Sequence, residues 1–292
     1  MMNLDLQRLE ALAAAVSEGT FDAAAGKLHV TPSAISQRVK ALETSVGRVL
    51  LIRSKPIRPT PAGTTLLQAA RQIQAITADA VRELGVSATG DAPMIPLAVN
   101  ADSLATWLLP ALAAAGPDLI FDLRREDQER TAQLLRDGVV MAAVTASAEP
   151  VAGCTAERLG RMRYRPTASP AFAARWFPDG PTVASLSRAP MVVSDRDDRL
   201  QDRYLRRRTR RRLDPPRHYV PGSDAFVQAI GLGLGWGMVP DMQASSGGGG
   251  LSDLDPGGSV DVMLFWQQWR LHSPALDRAA EAVRTAARTM LR

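Results

Sequence analysis

The stretch Thr20–Arg53, TFDAAAGKLHVTPSAISQRVKALETSVGRVLLIR, constrains this chain more than any other. Two short helical patterns meet there at a tight polar turn. The first covers 21–28, the turn is His29-Val30-Thr31, and the second runs from Pro32 to about Leu42. Thr31 suits an N-cap, because its hydroxyl can accept from an otherwise unpaired amide. Pro32 then takes the first helical position, where its missing N–H costs nothing. Ala34, Ile35, Val39 and Leu42 share one face, which leaves Ser33, Ser36, Gln37, Arg38 and Lys40 facing outward. A short helix, a tight turn and a second helix with a polar, basic face make a helix-turn-helix. Its outward face is expected in the major groove of DNA.

Charge points the same way. From Lys27 to Arg58 there are seven basic residues, and Glu43 is the only acid. A segment so one-sided has the electrostatic footprint of phosphate binding. The whole chain carries only +5, which by itself says little about partners. With 46% hydrophobic and 22% charged residues, global disorder is excluded and ordinary cores can form. The 292 residues allow two to three domains. The single cysteine, Cys154, precludes an intramolecular disulfide and fits a reducing compartment. Asp5, Glu10 and Glu18 interrupt the apolar N-terminus, so no signal peptide is expected. The uncharged run Ala225–Pro240 falls short of the ~20 residues that span a bilayer. The expectation is a cytoplasmic protein with no membrane partner.

Around the motif, Leu4–Ser17 has helical apolar spacing at Leu6, Leu9, Leu12, Ala13 and Val16. The β-prone run 49–52 and the basic segment 53–59 read as a wing, from which Arg53, Lys55 and Arg58 reach phosphates. Thr60-Pro61 opens a long helix to about Gly85. Its stripe, Leu66, Leu67, Ala70, Ile73, Ile76 and Leu84, is expected to pair with a copy of itself. The small, polar segment 86–93 reads as a hinge. From Ile95 strands alternate with helices. Strands are expected at 95–99, 119–123 and 139–144, with helices at 103–115 and 129–137, the latter closed by Gly138. A second set places strands at 163–167, 191–193, 217–220 and 236–239, and helices at 170–176, 200–212 and 223–232. A strand at 260–265 and a helix at 273–291 follow. The alternation predicts parallel βαβ units.

The residues Ala23-Ala24-Ala25, Leu28, Ser33-Ala34-Ile35-Ser36, Leu42-Glu43, Gly47, Arg53 and Thr60-Pro61-Ala62-Gly63 resemble LysR-type transcriptional regulators. In the second half, 169–180, 200–203, 218–221 and 225–230 resemble the ArgP/LysG branch of that family. The resemblance covers essentially the whole chain. It implies an α+β multidomain protein. A winged helix-turn-helix (1–59) is followed by a linker helix and hinge (60–93). An α/β periplasmic-binding-protein-like effector domain (94–292) completes it, with subdomain I at about 94–162 and 266–292 and subdomain II at about 163–265. It also implies a homodimer, assembling to a tetramer, that binds double-stranded DNA. The effector implied is lysine, arginine or histidine, and the regulated gene encodes an amino-acid exporter. RNA polymerase is a further candidate partner, and no cofactor is implied.

On that reading Thr31, Ser33, Ser36, Gln37, Arg38, Lys40, Arg53, Lys55 and Arg58 form the DNA-binding set. In open α/β sheets ligands sit beyond the carboxyl ends of strands, near helix N-termini. The junctions there are Asn100-Ala101-Asp102-Ser103, Thr145, Ser194-Asp195 and Pro221-Gly222-Ser223-Asp224. Hydroxyls of Ser103, Thr145 and Ser194 and helix N-terminal amides suit a carboxylate, and Ser223 lies at one of the same junctions. The carboxylates of Asp102, Asp195 and Asp224 suit cations. Asn100 belongs to the same set, and Trp107 could cover an aliphatic stem. Each of these polar residues is equally suited to helix capping.

Rival classes fare worse. G-x-S-x-G and P-loop patterns are absent, and the glycines at 231, 233, 235 and 237 do not fit a dinucleotide loop. His29, His218 and His272 are scattered and show no metal spacing. Neither a catalytic nor a metal site is expected. A ligand-independent architectural DNA binder would not need the second half. Seven arginines lie between Arg203 and Arg212. Two readings stay open for them: a solvated face, or a second contact for nucleic acid or an acidic partner.

Overall fold

A computed structural model describes residues 5–84, 92–126, 128–246 and 250–292. Side-chain caps set the N-terminal helices. Asp5 opens α1 (Leu6–Glu18) by accepting from the amides of Gln7 and Arg8, and Gly19 closes it at φ 74°. Thr20 caps α2 (Phe21–Lys27) through the amide of Ala23. His29 turns the chain in the left-handed region, at φ 52°. Thr31 and Pro32 then open α3 (Pro32–Val46), as their residue types predict. The helix runs on past Leu42 and stops at Gly47, where a φ of 69° suits a residue without Cβ. The wing is the antiparallel pair β1 (Leu51–Ile52) and β2 (Arg58–Pro59). Leu9, Leu12, Ile35, Val39, Leu42 and Leu50 close a core with Leu67 and Ala70 of α4 (Pro61–Glu83). Each such burial contributes about 1.5–3 kcal/mol for the larger aliphatics.

That packing corrects the expected dimerisation stripe. Leu67 and Ala70 are buried inside the protomer's own core, and Leu66 and Ile73 pack against it. Leu67 and Ala70 are therefore not available to a partner. Ile76 and Leu84, 49% and 76% exposed, are the part of the stripe left free.

The C-terminal half begins with β3 (Met94–Val99), α5 (Ala101–Ser103), a π-helical turn (Leu104–Leu108) and α6 (Leu109–Ala114). Next come β4 (Ile120–Arg125), α7 (Gln128–Arg136) and β5 (Ala142–Thr145). Strand β3 lies between β4 and β5, parallel to both, as the βαβ reading requires. The chain then crosses to a second lobe along β6 (Cys154–Ala168). That lobe holds α8 (Pro170–Trp176), α9 (Val183–Leu186), β7 (Met191–Val193), α10 (Leu200–Arg208) and β8 (Arg217–Tyr219). It continues with α11 (Ser223–Gly231), β9 (Gly237–Pro240), α12 (Asp241–Ser246) and β10 (Ser252–Asp253). The return is along β11 (Val260–Trp269), and α13 (Pro274–Met290) follows.

Parallel pairing therefore describes only part of the molecule. The long strands β6 and β11 run antiparallel, side by side, because one leaves the first lobe and the other re-enters it. The resulting sheet is mixed, in the order β10-β6-β11-β5-β3-β4 with β9 on β6, and β7 pairs with β8 separately. Helix α10 ends at Arg208, not Arg212, because Thr209 turns to extended backbone at φ −156°. Residues 86–91 of the expected hinge and 247–249 of the glycine-rich loop lie outside the described residues. No helix among the described residues is long and apolar enough to cross a membrane.

The two halves touch through α4. Arg71 donates to the carbonyl of Asp137 at 2.9 Å and to Ser17 Oγ at 3.1 Å, joining α1, the linker helix and the first lobe. Burial, reinforced by Arg124, lowers its guanidinium to about 10.

Candidate nucleic-acid interface and effector cleft

The N-terminal surface is organised by α3. Thr31 Oγ1 accepts from the amide of Ala34 at 3.2 Å and lies 3.0 Å from Ser33 Oγ. Ser33, Gln37 and Lys40 are exposed, and Ser36 and Arg38 half-buried. Arg38 Nη2 donates to Gln7 Oε1 at 3.2 Å, so α1 steadies it. In the wing, Lys55 and Arg58 are exposed, while the Arg53 guanidinium sits 5.8 Å from the ring centroid of Phe21. The lone acid of the segment is engaged within the protein. Glu43 Oε1 accepts from the amides of Leu50 and Leu51, at 2.8 and 3.4 Å, and so fixes the wing to α3.

A second site lies between the lobes of the C-terminal half. A cavity of about 290 Å³ is lined from the first lobe by Asn100, Ala101, Asp102, Arg125 and Glu126. The second lobe supplies Ser194, Asp195, Asp198, Leu200, Pro221, Gly222, Ser223, Phe226 and Met238. These positions are strand ends and helix starts, which is where an α/β sheet leaves polar groups facing a crevice. Asp102 is committed to the protein. Its Oδ2 accepts from the Tyr164 hydroxyl at 2.8 Å and its Oδ1 from the Ser223 hydroxyl at 2.7 Å. Burial, with Asp102 beside it, holds the Tyr164 phenol well above its ordinary value, so it stays a donor.

The loop after β7 is folded by its own carboxylates. Asp195 Oδ1 accepts from the amides of Asp197 and Asp198, at 2.7 and 2.8 Å. Asp198 accepts from the amides of Ser194 and Leu200, at 3.1 and 2.9 Å. Burial raises the Asp198 carboxyl above its usual range, neighbouring Asp195 adds to the rise, and the two amides oppose it. Facing this loop, Arg125 has no ion-pair partner among the described residues. Gly222, at φ 90°, makes room for it: a Cβ there would lie 3.2 Å from Arg125 Nη1. Asn100 Oδ1 is buried with no hydrogen-bond partner.

Of the residues singled out in the sequence, the cleft brings together Asn100, Asp102, Ser194, Asp195 and Ser223. Four others are elsewhere. Trp107 is 1% exposed within the π-helical turn and packs in the lobe's core, so it cannot cover a ligand stem there. Ser103 is fully buried behind the cleft lining, and its hydroxyl has no partner. Thr145 is buried, and its hydroxyl accepts from the amide of Ser147. Asp224 is exposed and outside the cavity lining. Conversely, Arg125, Asp198 and Phe226 line the cleft without having been singled out. Arg125 was within reach of the strand-end rule: β4 runs two residues beyond the expected Leu123 and ends on it.

Comparison with known proteins bears on both sites. Residues 6–64 match the profile "Bacterial regulatory helix-turn-helix protein, lysR family", and residues 94–288 match "LysR substrate binding domain". The crystal structure of ArgP from Mycobacterium tuberculosis is similar at 46% identity, with 99% of each chain covered and a TM-score of 0.92. Full-length LysG from Corynebacterium glutamicum with bound effector Arg is 36% identical, covering 99% of this chain and 100% of its own, with a TM-score of 0.82. The lysine export transcriptional regulatory protein LysG of Corynebacterium efficiens is 43% identical over 293 residues, 97% of this chain and 98% of that one.

Proposed function

The chain belongs to the LysR family of DNA-binding transcriptional regulators, a family of non-enzymatic proteins, and from that premise we propose that a cationic amino acid, arginine or lysine, is the effector seated between its two lobes. The chain's DNA-binding set sits on α3 and the wing, where Ser33, Ser36, Gln37, Arg38 and Lys40 face base edges, Thr31 caps the helix, and Arg53, Lys55 and Arg58 face phosphates. On this division 1–59 reads DNA, 60–93 joins, and 94–292 senses. Ile76 and Leu84 on the free side of α4 carry the pairing of two protomers, with tetramers built from the dimers. The regulated gene encodes a basic-amino-acid exporter, and RNA polymerase is the partner through which regulation acts.

The arrangement of charge in the cleft carries the effector assignment. One side offers an unpaired guanidinium, Arg125, and an unpartnered acceptor, Asn100 Oδ1. The other side offers the carboxylates of Asp195 and Asp198. An amino acid with a positive side chain matches all of these. Its α-carboxylate meets Arg125, its α-ammonium meets Asn100, and its side-chain cation meets the Asp195–Asp198 loop. Phe226 and Met238 border the aliphatic stem. An effector acts only through different affinity for open and closed lobes, and a site split between lobes supplies that difference.

Calorimetric titration tests the assignment. Arginine and lysine are expected to bind, and citrulline, the neutral isostere of arginine, to bind at least about tenfold more weakly, as loss of one charge-assisted contact of about 1.5–3 kcal/mol requires. Equal affinity for citrulline and arginine would remove the cationic assignment. Silence with every amino acid would favour a ligand-independent DNA binder.

A further inference from the structure

The arginine-rich segment at the end of α10 divides into two groups. Arg203 and Arg207 donate to the carbonyls of Asp261 and Ser259, at 3.3 and 2.8 Å. Arg208 pairs with Asp255 at 3.1 Å and donates to the carbonyl of Pro181. These three pin the helix to the start of β11 and to the loop before α9. Arg206, Arg210, Arg211 and Arg212 are exposed and have no ion-pair or hydrogen-bond partner for their guanidinium groups among the described residues. The nearby acids are already taken. Asp202 and Asp214 both pair with Arg217, at 2.8 and 3.5 Å.

Four unpaired guanidinium groups within seven residues are not explained by folding. The helix is held by other contacts: Tyr204 and Leu205 are buried, and the Tyr204 ring stands edge-on to Trp236 at 5.6 Å. Like charges this close along the chain repel, so the cluster does nothing for the fold. Surface solubility is served by interspersed signs, not by one sign alone. Guanidinium groups match phosphate oxygens in geometry and are less strongly hydrated than ammonium groups.

We propose that Arg206, Arg210, Arg211 and Arg212 form a second, sequence-independent contact with the phosphates of duplex DNA, outside the stretch gripped by the helix-turn-helix. The inference rests on the chain binding duplex DNA through its N-terminal part. Duplex DNA presents about one negative charge per 1.7 Å of axis, a density that can engage four clustered cations at once. Once the N-terminal reader is bound, flanking duplex is held at high effective concentration, so weak extra contacts add appreciably.

The test uses the full chain and a random-sequence duplex, with binding followed by fluorescence anisotropy across a salt series. Three variants accompany the wild type. One carries Arg206→Ala, Arg210→Ala, Arg211→Ala and Arg212→Ala, the second carries the same four changes to Lys, and the third carries Lys55→Ala with Arg58→Ala in the wing. Each phosphate contact contributes about 0.9 to the slope of log K against log salt. The alanine variant is expected to lose about 2–4 from that slope with an unchanged melting temperature, and the lysine variant to keep most of it. An alanine variant with wild-type slope and affinity, beside a wing variant that has lost both, would overturn the proposal and leave the N-terminal reading intact. Weakened binding of the alanine variant to polyglutamate with an unchanged DNA slope would also overturn it, in favour of an acidic protein partner. Failure of the wild type to bind any duplex would sink the N-terminal reading and this proposal together.

Discussion

The Ser223 hydroxyl donates to Asp102 Oδ1 across 2.7 Å, joining the first turn of α11 in one lobe to α5 in the other. The Tyr164 hydroxyl, on the crossover strand β6, holds the other oxygen of the same carboxylate. One half-buried side chain thus ties together the strand that connects the lobes and the two helix starts that face each other over the cleft.

Removing that carboxylate leaves the buried Tyr164 hydroxyl without an acceptor, while the Ser223 hydroxyl keeps Gln243 Oε1 at 2.9 Å. Asp102→Ala is expected to cost about 1–3 kcal/mol of stability, the penalty of one orphaned buried donor. Asp102→Asn, which keeps a carbonyl acceptor, should cost less. Urea denaturation measures both. Ser223→Ala removes the cross-lobe bond together with the contact to Gln243 Oε1, and should weaken arginine binding about fivefold, equivalent to roughly 1 kcal/mol. Unchanged affinity in that variant would mean that the bond has no part in closure.

Effector affinity should depend on pH through Asp198. Burial raises its carboxyl in the unliganded fold, and a cation seated against it favours the ionised form. Binding therefore expels a proton at acidic pH. Affinity for arginine is expected to rise as pH climbs through the folded value of Asp198 and to level off above it. The same shift acts on stability with opposite sign. A carboxyl raised in the fold makes the unliganded protein lose stability as pH rises from the ordinary carboxyl range to the folded value. Asp195, Glu126 and Arg125 share the cleft, so the decisive comparison is calorimetry of Asp198→Asn against wild type across pH. An equally steep profile in both would assign the dependence to another group.

Gly63, in the first turn of α4, lies against the Leu50 carbonyl, where a Cβ would overlap backbone oxygen and carbon. That carbonyl also accepts from the amide of Thr60 at 2.9 Å, so it cannot swing away freely. Gly63→Ala should push the linker helix off the wing and lower stability by about 1–3 kcal/mol, as overpacking does. Thermal unfolding checks this; a wild-type melting temperature would show that the helix shifts without cost.

On DNA, Gln37→Ala and Arg58→Ala should fail differently. Gln37 is exposed on the outward face of α3 and Arg58 in the wing. If Gln37 reads a base edge, its loss relaxes sequence preference by about 1–3 kcal/mol. Arg58→Ala should weaken every sequence alike and flatten the salt slope by about 0.9. Gel shifts with operator and scrambled duplexes, repeated across salt, separate the two; an unaltered preference in the Gln37 variant would defeat the base-reading role.

Local chemistry made much of this protein readable in advance. Thr31-Pro32, Ser169-Pro170 and Ser273-Pro274 each open a helix, because a cap and an N1 proline act within one turn. Strand β6 resisted reading. It is 15 residues long, yet only its last part looked like a strand. Glu157, Arg158 and Gly160 interrupt the alternation in its first part, whereas beyond them Arg163 and Arg165 alternate with buried residues and are carried by partners far away in sequence, Asp261, Asp241 and Asp253.

Helix starts, the polar face of the N-terminal reader and the strand–helix alternation of the second half were all legible from the residues alone. Those follow from forces that act over a few residues. Packing alone settles that Asp102, Arg125, Asp198 and Ser223 share one cleft while Trp107, Thr145 and Asp224 do not, and that Leu67 and Ala70 of the α4 stripe are spent on the protomer's own core. Burial and pairing between distant segments are properties of packing, and the direction a side chain takes at a strand end depends on what the rest of the chain leaves open.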